Sequence, residues 1–271
     1  MENIPVSTKT IIATSNLQFD TIKIFEKLEF SNSGDTSEIE IKVLYYQNQV
    51  RGDDSLLKKK PKKCFRNAVN VIMRIGSSKF INFKLSKNGK FQITGCKHEE
   101  HALQTVMFFI DTLFQQCPEA VLSSQQVLTV FFQTVMTNID FSLGFCVNRS
   151  KLDQLLNHDT PYHSLLETSF GYTGVNIKFL VDSSWWKNEV PCVYRSVHQN
   201  EWTISRKPLE ELQDLTDVYK NKKRYNTFLV FHSGNVIMSG IAKETMNDHY
   251  KIFRQMVTDW KPQIEECLTE K

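Results

Sequence analysis

The chain has 271 residues, 41% of them apolar, and a formal net charge of +3. That content can bury a sizeable core, while such mild basicity gives no argument for nucleic-acid binding from charge alone. No apolar run is long enough to span a bilayer, the N-terminus lacks a basic-then-apolar signal pattern, and six scattered cysteines without a CxxC pair argue against a disulfide framework or zinc knuckle.

In chain order, Thr10–Leu17 reads as a strand rich in β-branched residues. Asp20 is placed to cap a short helix carrying Ile22, Phe25 and Leu28. Residues 29–64 look like an insertion, in which Ile39, Ile41 and Val43 alternate as an extra strand and a loop ends in the basic run Lys58–Lys63. That run reads as a solvated loop, with a phosphate-gripping arm or an import-like signal as the alternatives. Strands follow at Val69–Ile75, Ile81–Leu85 and Phe91–Thr94, then a helix with Leu103, Val106, Met107, Ile110, Leu113 and Phe114 on one face.

The second half repeats the plan. Val135–Phe145 is a strand region, Asn148 caps a helix with Leu152, Leu155 and Leu156, and Val175–Val181 is the next strand. Residues 182–224 form a second insertion, polar and aromatic, where Trp185-Trp186 is either a partner anchor or a small core. Strands at Thr227–Phe231 and Val236–Met238 lead to a last helix presenting Met246, Tyr250, Phe253, Val257 and Trp260. Gly89 to Lys97 and Gly234 to Lys243 are the same unit twice: turn glycine, strand, small hydroxyl residue, second glycine. Each half is thus an α+β unit with an antiparallel sheet covered on one side. The expected division is 1–115, with an insertion near 29–64; a connector, 116–132; and 133–271, with an insertion near 182–224.

His98-Glu99-Glu100-His101 lacks the histidine spacing of a metalloprotease helix and reads as a carboxylate-rich helix start. No phosphate loop, nucleophile elbow or paired-carboxylate site stands out, so neither enzymatic activity nor a metal or other cofactor is expected.

The run Val71-Ile72-Met73-Arg74-Ile75, with Asn88-Gly89-Lys90 and Thr94-Gly95-Cys96-Lys97-His98-Glu99-Glu100, resembles the first repeat of the TATA-box-binding protein family. Phe228 to Gly234, with Ser239-Gly240, is similar to the second repeat, and Ile11 to Leu17 to the family's opening strand. The insertions and the Lys/Asn-rich, Gly-poor composition resemble the TATA-binding-protein-like factors of large nucleocytoplasmic DNA viruses. The resemblance implies two pseudo-symmetric repeats forming a saddle: a curved antiparallel sheet whose concave face sits in the DNA minor groove, with helices on the convex side. It further implies aromatic wedges between base steps, small or β-branched residues at the groove floor, and basic residues at the rim.

Alternation assigns the faces. Val71, Met73, Ile75, Ile81, Phe83, Leu85, Phe91 and Ile93 should point to the helices, leaving Asn70, Ile72, Arg74, Asn82, Lys84, Ser86, Gln92 and Thr94 on the open side. In the second half the open set is Asn176, Lys178, Leu229, Phe231 and Ser239, with Tyr172 in the adjoining loop. Carried over from the family, Tyr172 and Phe231 match the second-repeat wedges, while the first repeat has Ala68 and Ser86 there; an alternative register gives that role to Phe65 or Leu85. Thr94 and Ser239 match the family's groove-floor threonines, and Arg74, Lys90, Lys97 and Lys178 its phosphate-contacting basic positions, with Asn235 standing where the second repeat would have its counterpart of Lys90. Ile12 is read as a further groove-floor position, and Leu229 and Lys84 as DNA contacts from their place on the open face. The acidic stirrup that receives transcription factor IIB in the family is absent around Thr168 to Tyr172.

The expected function is therefore a non-enzymatic initiation factor binding AT-rich double-stranded DNA. Expected partners are a transcription factor IIB-like protein and RNA polymerase subunits, virus-encoded, with no membrane, the chain itself being a monomer or weak dimer. The nucleus, a cytoplasmic viral factory or the virion is the expected location, not the secretory route. The alternative is a scaffold of the same fold with weak or no DNA binding.

Overall fold

Asp20 fixes the first helix. In the computed structural model, which describes residues 6–30, 39–57, 67–122, 126–166, 173–181, 185–196, 201–241 and 243–266, its carboxylate accepts the amides of Ile22 and Lys23 at 3.1 Å each. Strand β1 (Val6–Ser15) precedes this cap and helix α1 (Thr21–Lys27) follows it. Because the cap sets the start, the buried stripe is Thr21, Ile24, Phe25 and Leu28, and Ile22, expected inside, is 43% exposed.

β2 (Ile39–Tyr46) and β3 (Gln49–Gly52) form a hairpin, and a single 3₁₀ turn spans Asp54–Leu56. Then come β4 (Ala68–Ile75), β5 (Lys79–Ser86), β6 (Lys90–Cys96) and α2 (Glu99–Gln116). β7 (Val127–Ser142) leads to α3 (Arg149–Asp159), β8 (His163–Leu166) and β9 (Gly174–Val181). β10 (Glu189–Ser196), β11 (Trp202–Pro208) and the short helices α4 (Leu209–Leu212) and α5 (Asp217–Lys220) lie in the second expected insertion. β12 (Arg224–Phe231), β13 (Asn235–Gly240) and α6 (Lys243–Ile264) complete the chain.

Two compact units result: an N-unit of Lys9–Val135 with Asn188–Gln213, and a C-unit of Met1–Thr8, Met136–Lys187 and Asp214–Lys271. In the N-unit the hydrogen-bonded order is β3-β2-β4-β5-β6-β1, with the first half of β7 beyond β1. In the C-unit it is β7-β13-β12-β9-β8. The paired strands β2-β4-β5-β6-β1 and β7-β13-β12-β9-β8 are antiparallel.

Each unit buries one sheet face under helices. In the N-unit, Met73, Ile81, Phe83, Leu85, Phe91 and Ile93 pack with Leu103, Val106, Phe109 and Leu113 of α2. In the C-unit, Val175, Ile177, Phe228, Val230, Val236 and Met238 pack with Leu152 and Leu156 of α3 and Met246, Phe253 and Val257 of α6. Each fully buried Leu or Phe stabilises by roughly 1.5–3 kcal/mol, so these faces dominate each unit's energetics.

The first expected insertion carries a full strand of the N-unit sheet, since β2 pairs with β4 along its length. The second is no detachable appendage either. β10 pairs with β7 from Cys192↔Phe131 to Ser196↔Val127, and Val193 is fully buried in the N-unit core. Trp185, one of the candidate anchors, is buried edge-on to Trp186 with the Arg224 guanidinium 4.7 Å from its ring centroid, which is the small-core reading.

The same hydrogen bonds recur in both units. The Gly89 carbonyl accepts the Ser15 amide at 3.0 Å, and that of Gly234 the Leu143 amide at 2.8 Å. Lys87 O accepts from Phe19 N at 2.9 Å, and His232 O from Val147 N at 2.8 Å. The caps Asp20 and Asn148 each donate their backbone amide at 2.8 Å, to Ala120 O and Ile264 O respectively.

Candidate nucleic-acid interface

On the sheet face that carries no helix, side chains line up in rows across the strands. One row of the N-unit runs Tyr45, Asn70, Lys84, Gln92, Ile12 over β2, β4, β5, β6 and β1. The next runs Val43, Ile72, Asn82, Thr94. Beyond the first row, Ala68 opposes Ser86, and Lys90 opposes Thr14. Asn82, Gln92, Lys90 and Lys97 are exposed. Thr94 Oγ1 donates to the Asn82 carbonyl at 3.2 Å, and Ser86 Oγ to the Lys90 carbonyl at 3.0 Å. Leu85 is fully buried on the helix side, so it cannot act as a wedge; Phe65 and the Lys58–Lys63 run lie outside the described residues.

Arg74 is committed within the sheet. Its Nη2 donates to Glu40 Oε1 at 2.7 Å, its Nη1 donates to the Gly76 carbonyl, and Lys42 pairs with the same carboxylate. Hydrogen bonds from Lys42 and then Arg74 hold the Glu40 carboxyl below its ordinary range. A phosphate would have to compete with this carboxylate for the guanidinium.

Part of this face is covered by the chain itself. Val43, Ile72 and Asn70 alternate away from the α2 core, yet they are 0%, 7% and 4% exposed. A bulge at Lys42 starts the cover: pairing shifts from Ile41↔Met73 to Val43↔Ile72, and the Lys42 carbonyl accepts the Asp53 amide at 3.0 Å. Gly52 stands there at φ 95°, where any Cβ would sit 2.2 Å from that oxygen. Asp53 then caps the 3₁₀ turn that carries Leu56 and Leu57 to the rim of the face. Periodicity did not reveal this, because it says which side a residue takes and not what lies over it.

The corresponding C-unit rows are Leu165, Asn176, Leu229, Ile237, Asp140 and His163, Lys178, Thr227, Ser239, Asn138. Phe231 opposes Gly174 at the end of β12 and is half-buried; Lys178 is exposed. Gly174 makes room for Leu229, whose Cδ1 would lie 2.6 Å from a Cβ at that position. Leu165 and Leu180 are 64% and 56% exposed, so this face is open and partly apolar. Ser239 Oγ donates to Asn138 Oδ1 at 2.9 Å, which leaves the Asn138 amide hydrogens as donors. Asn138 and the exposed Asp140 were missing from the sequence-derived set; continuing the alternation along β7, opposite Ser239, would have found both. Tyr172 lies outside the described residues.

No protein-family model matches the chain. Uncharacterized protein 335L of Invertebrate iridescent virus 6 is 26% identical to it over an aligned length of 211, covering 74% of this chain and 63% of that protein, so the chain spans less than two thirds of that relative's length. Among solved structures, the Methanococcus jannaschii TBP is similar with a TM-score of 0.46 and 10% identity, over 94% of this chain and 98% of that one.

Proposed function

We propose that this chain is a TATA-box-binding-protein-like factor of viral origin that binds AT-rich duplex DNA through the minor groove, without catalysis. The observation carrying this reading is the C-unit's open face, where apolar Leu229 and Ile237 form the row beside the Ser239–Asn138 pair and Phe231 stands one row further along β12. In the minor groove an A·T pair offers only acceptors, which the Asn138 amide hydrogens and a flat apolar floor suit, whereas the guanine amino group obstructs close approach. Phe231 is the candidate wedge and Lys178 the phosphate contact, with Ile12, Thr94, Lys84, Lys90 and Lys97 as the N-unit's contribution. The recurring hydrogen bonds and the matching strand orders support reading the two units as copies of one repeat, as the resemblance implies.

In this reading the helices receive a transcription factor IIB-like protein and polymerase subunits encoded by the virus, and the chain acts in the nucleus or a viral factory. The test is fluorescence anisotropy with AT-rich and GC-rich duplexes of equal length across a salt titration. Tighter AT binding supports the proposal; equal affinity with an identical salt slope defeats it.

Three observations favour a second reading, a protein-interaction scaffold of the same fold. The N-unit face is partly closed by residues 53–57, Arg74 is held by Glu40, and Asp140 would repel phosphate on the C-unit face. The same titration separates the two, since a scaffold binds both duplexes weakly or not at all, with no preference for AT.

A further inference from the structure

We propose that the covered face of the N-unit is a small-molecule site for a nucleobase-type heterocycle, a role apart from duplex binding. Beneath Leu56 and Leu57 lies a cavity of about 400 Å³, floored by Asn70, Ile72, Asn82, Lys84, Gln92 and Thr94 and bounded on one side by Tyr45. That volume lies within the roughly 300–1,000 Å³ of small-molecule sites, which are mostly pre-formed, apolar-walled and furnished with a few convergent polar groups. The floor is a grid of two rows on β4, β5 and β6. Strands about 4.8 Å apart and rows about 7 Å apart make it roughly 10 by 7 Å, large enough for one flat ring system.

Its chemistry is selective. Asn70, Asn82 and Gln92 each present a carboxamide, with an adjacent donor and acceptor, and no carboxylate is among the described residues that line the cavity. Carboxamides pair bidentately with the edges of bases, adenine above all. Leu56, Leu57 and Tyr45 supply the apolar and aromatic contacts that cover a ring's face, and the Lys84 ammonium tolerates an attached phosphate. Asn70 adds a second, independent indication. It is 4% exposed, and its amide makes one hydrogen bond among the described residues, to the Tyr45 carbonyl at a long 3.5 Å. A buried carboxamide with capacity left over, lining a cavity, is better satisfied by a ligand than by protein. The cover is also built in, through the Lys42 bulge, the Gly52 turn and the Asp53 cap. It gives the face a wall that a duplex would have to displace and a single base would use.

The base could belong to a free nucleotide or to a single strand with a base turned out. The experiment titrates the full chain by calorimetry with adenosine, guanosine, cytidine and uridine, their monophosphates, and a short single-stranded oligonucleotide of each base. Saturable binding of at least one probe is expected, weakened tenfold or more by Gln92→Ala and by Asn82→Ala. Both side chains are exposed and off the core, so unchanged thermal unfolding certifies the fold of these variants. Leu57→Ser should weaken binding as well. Binding of nucleosides and monophosphates marks a free-nucleotide site; binding of oligonucleotides alone marks a strand-base site. Either outcome supports the proposal, whether or not the chain binds duplex. Absence of saturable binding by every probe up to its solubility limit overturns it, as does binding that both carboxamide variants leave unchanged.

Discussion

Trp202 Nε1 donates to Asp111 Oδ2 at 2.9 Å, joining strand β11 to helix α2 across 91 residues of sequence. Arg195 of β10 lies against the same carboxylate, Nε to Oδ1 3.1 Å, with its guanidinium 4.9 Å from the Phe114 ring centroid and 5.9 Å from that of Trp202. A hairpin that looked insertable is thereby fastened onto the helix that roofs the N-unit.

Arg195→Ala should therefore destabilise the protein by about 1–3 kcal/mol, because it removes the buried guanidinium that faces Asp111 and opens the aromatic sandwich. Replacing residues 188–213 by a short linker should abolish cooperative unfolding of the N-unit, since Val193 leaves the core with the hairpin. Urea unfolding measures both. A loss below about 1 kcal/mol for the point variant would mean the hairpin is an ornament after all.

The turn glycines give a graded prediction. Gly89 and Gly234 sit at φ 78° and 79°, and a Cβ would lie 2.2 and 2.1 Å from the carbonyl oxygens of Leu17 and Phe145. Gly76, at φ 61°, has nothing within 4 Å. Gly76→Ala should cost only the left-handed backbone penalty, about 1–2 kcal/mol. Gly89→Ala and Gly234→Ala should cost more, and similarly to each other. Equal losses at all three sites, read from chemical denaturation, would contradict the packing argument.

Stability should fall on mild acidification. Burial lowers the His249 pKa below its ordinary 6.5, and that of His101 likewise. The unfolded chain then binds protons first, so this contribution is complete above about pH 6.5 and declines as pH falls below it. His249 Nδ1 lies 2.9 Å from Asn226 Nδ2 on fully buried Asn226 and accepts its hydrogen bond; protonation at that nitrogen removes the acceptor. The Glu40 carboxyl, lowered by its cations, adds stability that is lost only at more acidic pH, below about 4.5. His249→Gln should flatten the decline between pH 7 and 5.5 in thermal unfolding; an unchanged slope would place the titration elsewhere.

If the duplex reading holds, DNA distortion should depend on the C-unit. Prying base pairs apart needs an apolar ring and costs a few kcal/mol per step. Phe231 offers one, while Ala68 and Ser86 do not. By energy transfer across an end-labelled AT-rich duplex, Phe231→Ala should remove most of the bend and Ser86→Ala none of it. Lys178→Ala should lower the salt slope by about one ion. A full bend in Phe231→Ala would assign the wedge to another residue.

What the sequence determined by itself was local. Asp20 and Asn148 cap their helices because a side-chain oxygen needs only the amides two or three residues on. Gly89 and Gly234 close hairpins because a tight turn needs a positive φ, and alternation sends Phe83 and Phe228 inward and Asn82 and Thr227 outward because a pleated strand has period two. The tertiary structure alone decided which distant surfaces meet. Arg74 read as a rim cation until Glu40, 34 residues away, took its guanidinium. Asn70 and Ile72 read as open although Leu56 and Leu57 line the same cavity, and residues 182–224 read as an insertion although Trp202 and Arg195 within them are held by Asp111. In the C-unit, alternation placed Leu229 and Ser239 on the uncovered side, but only the pairing of β13 with β7 brought Asn138 to Ser239. Periodicity fixes the side a residue faces; what lies opposite depends on long-range pairing, whose free energy is shared by segments that carry no mark of one another in sequence.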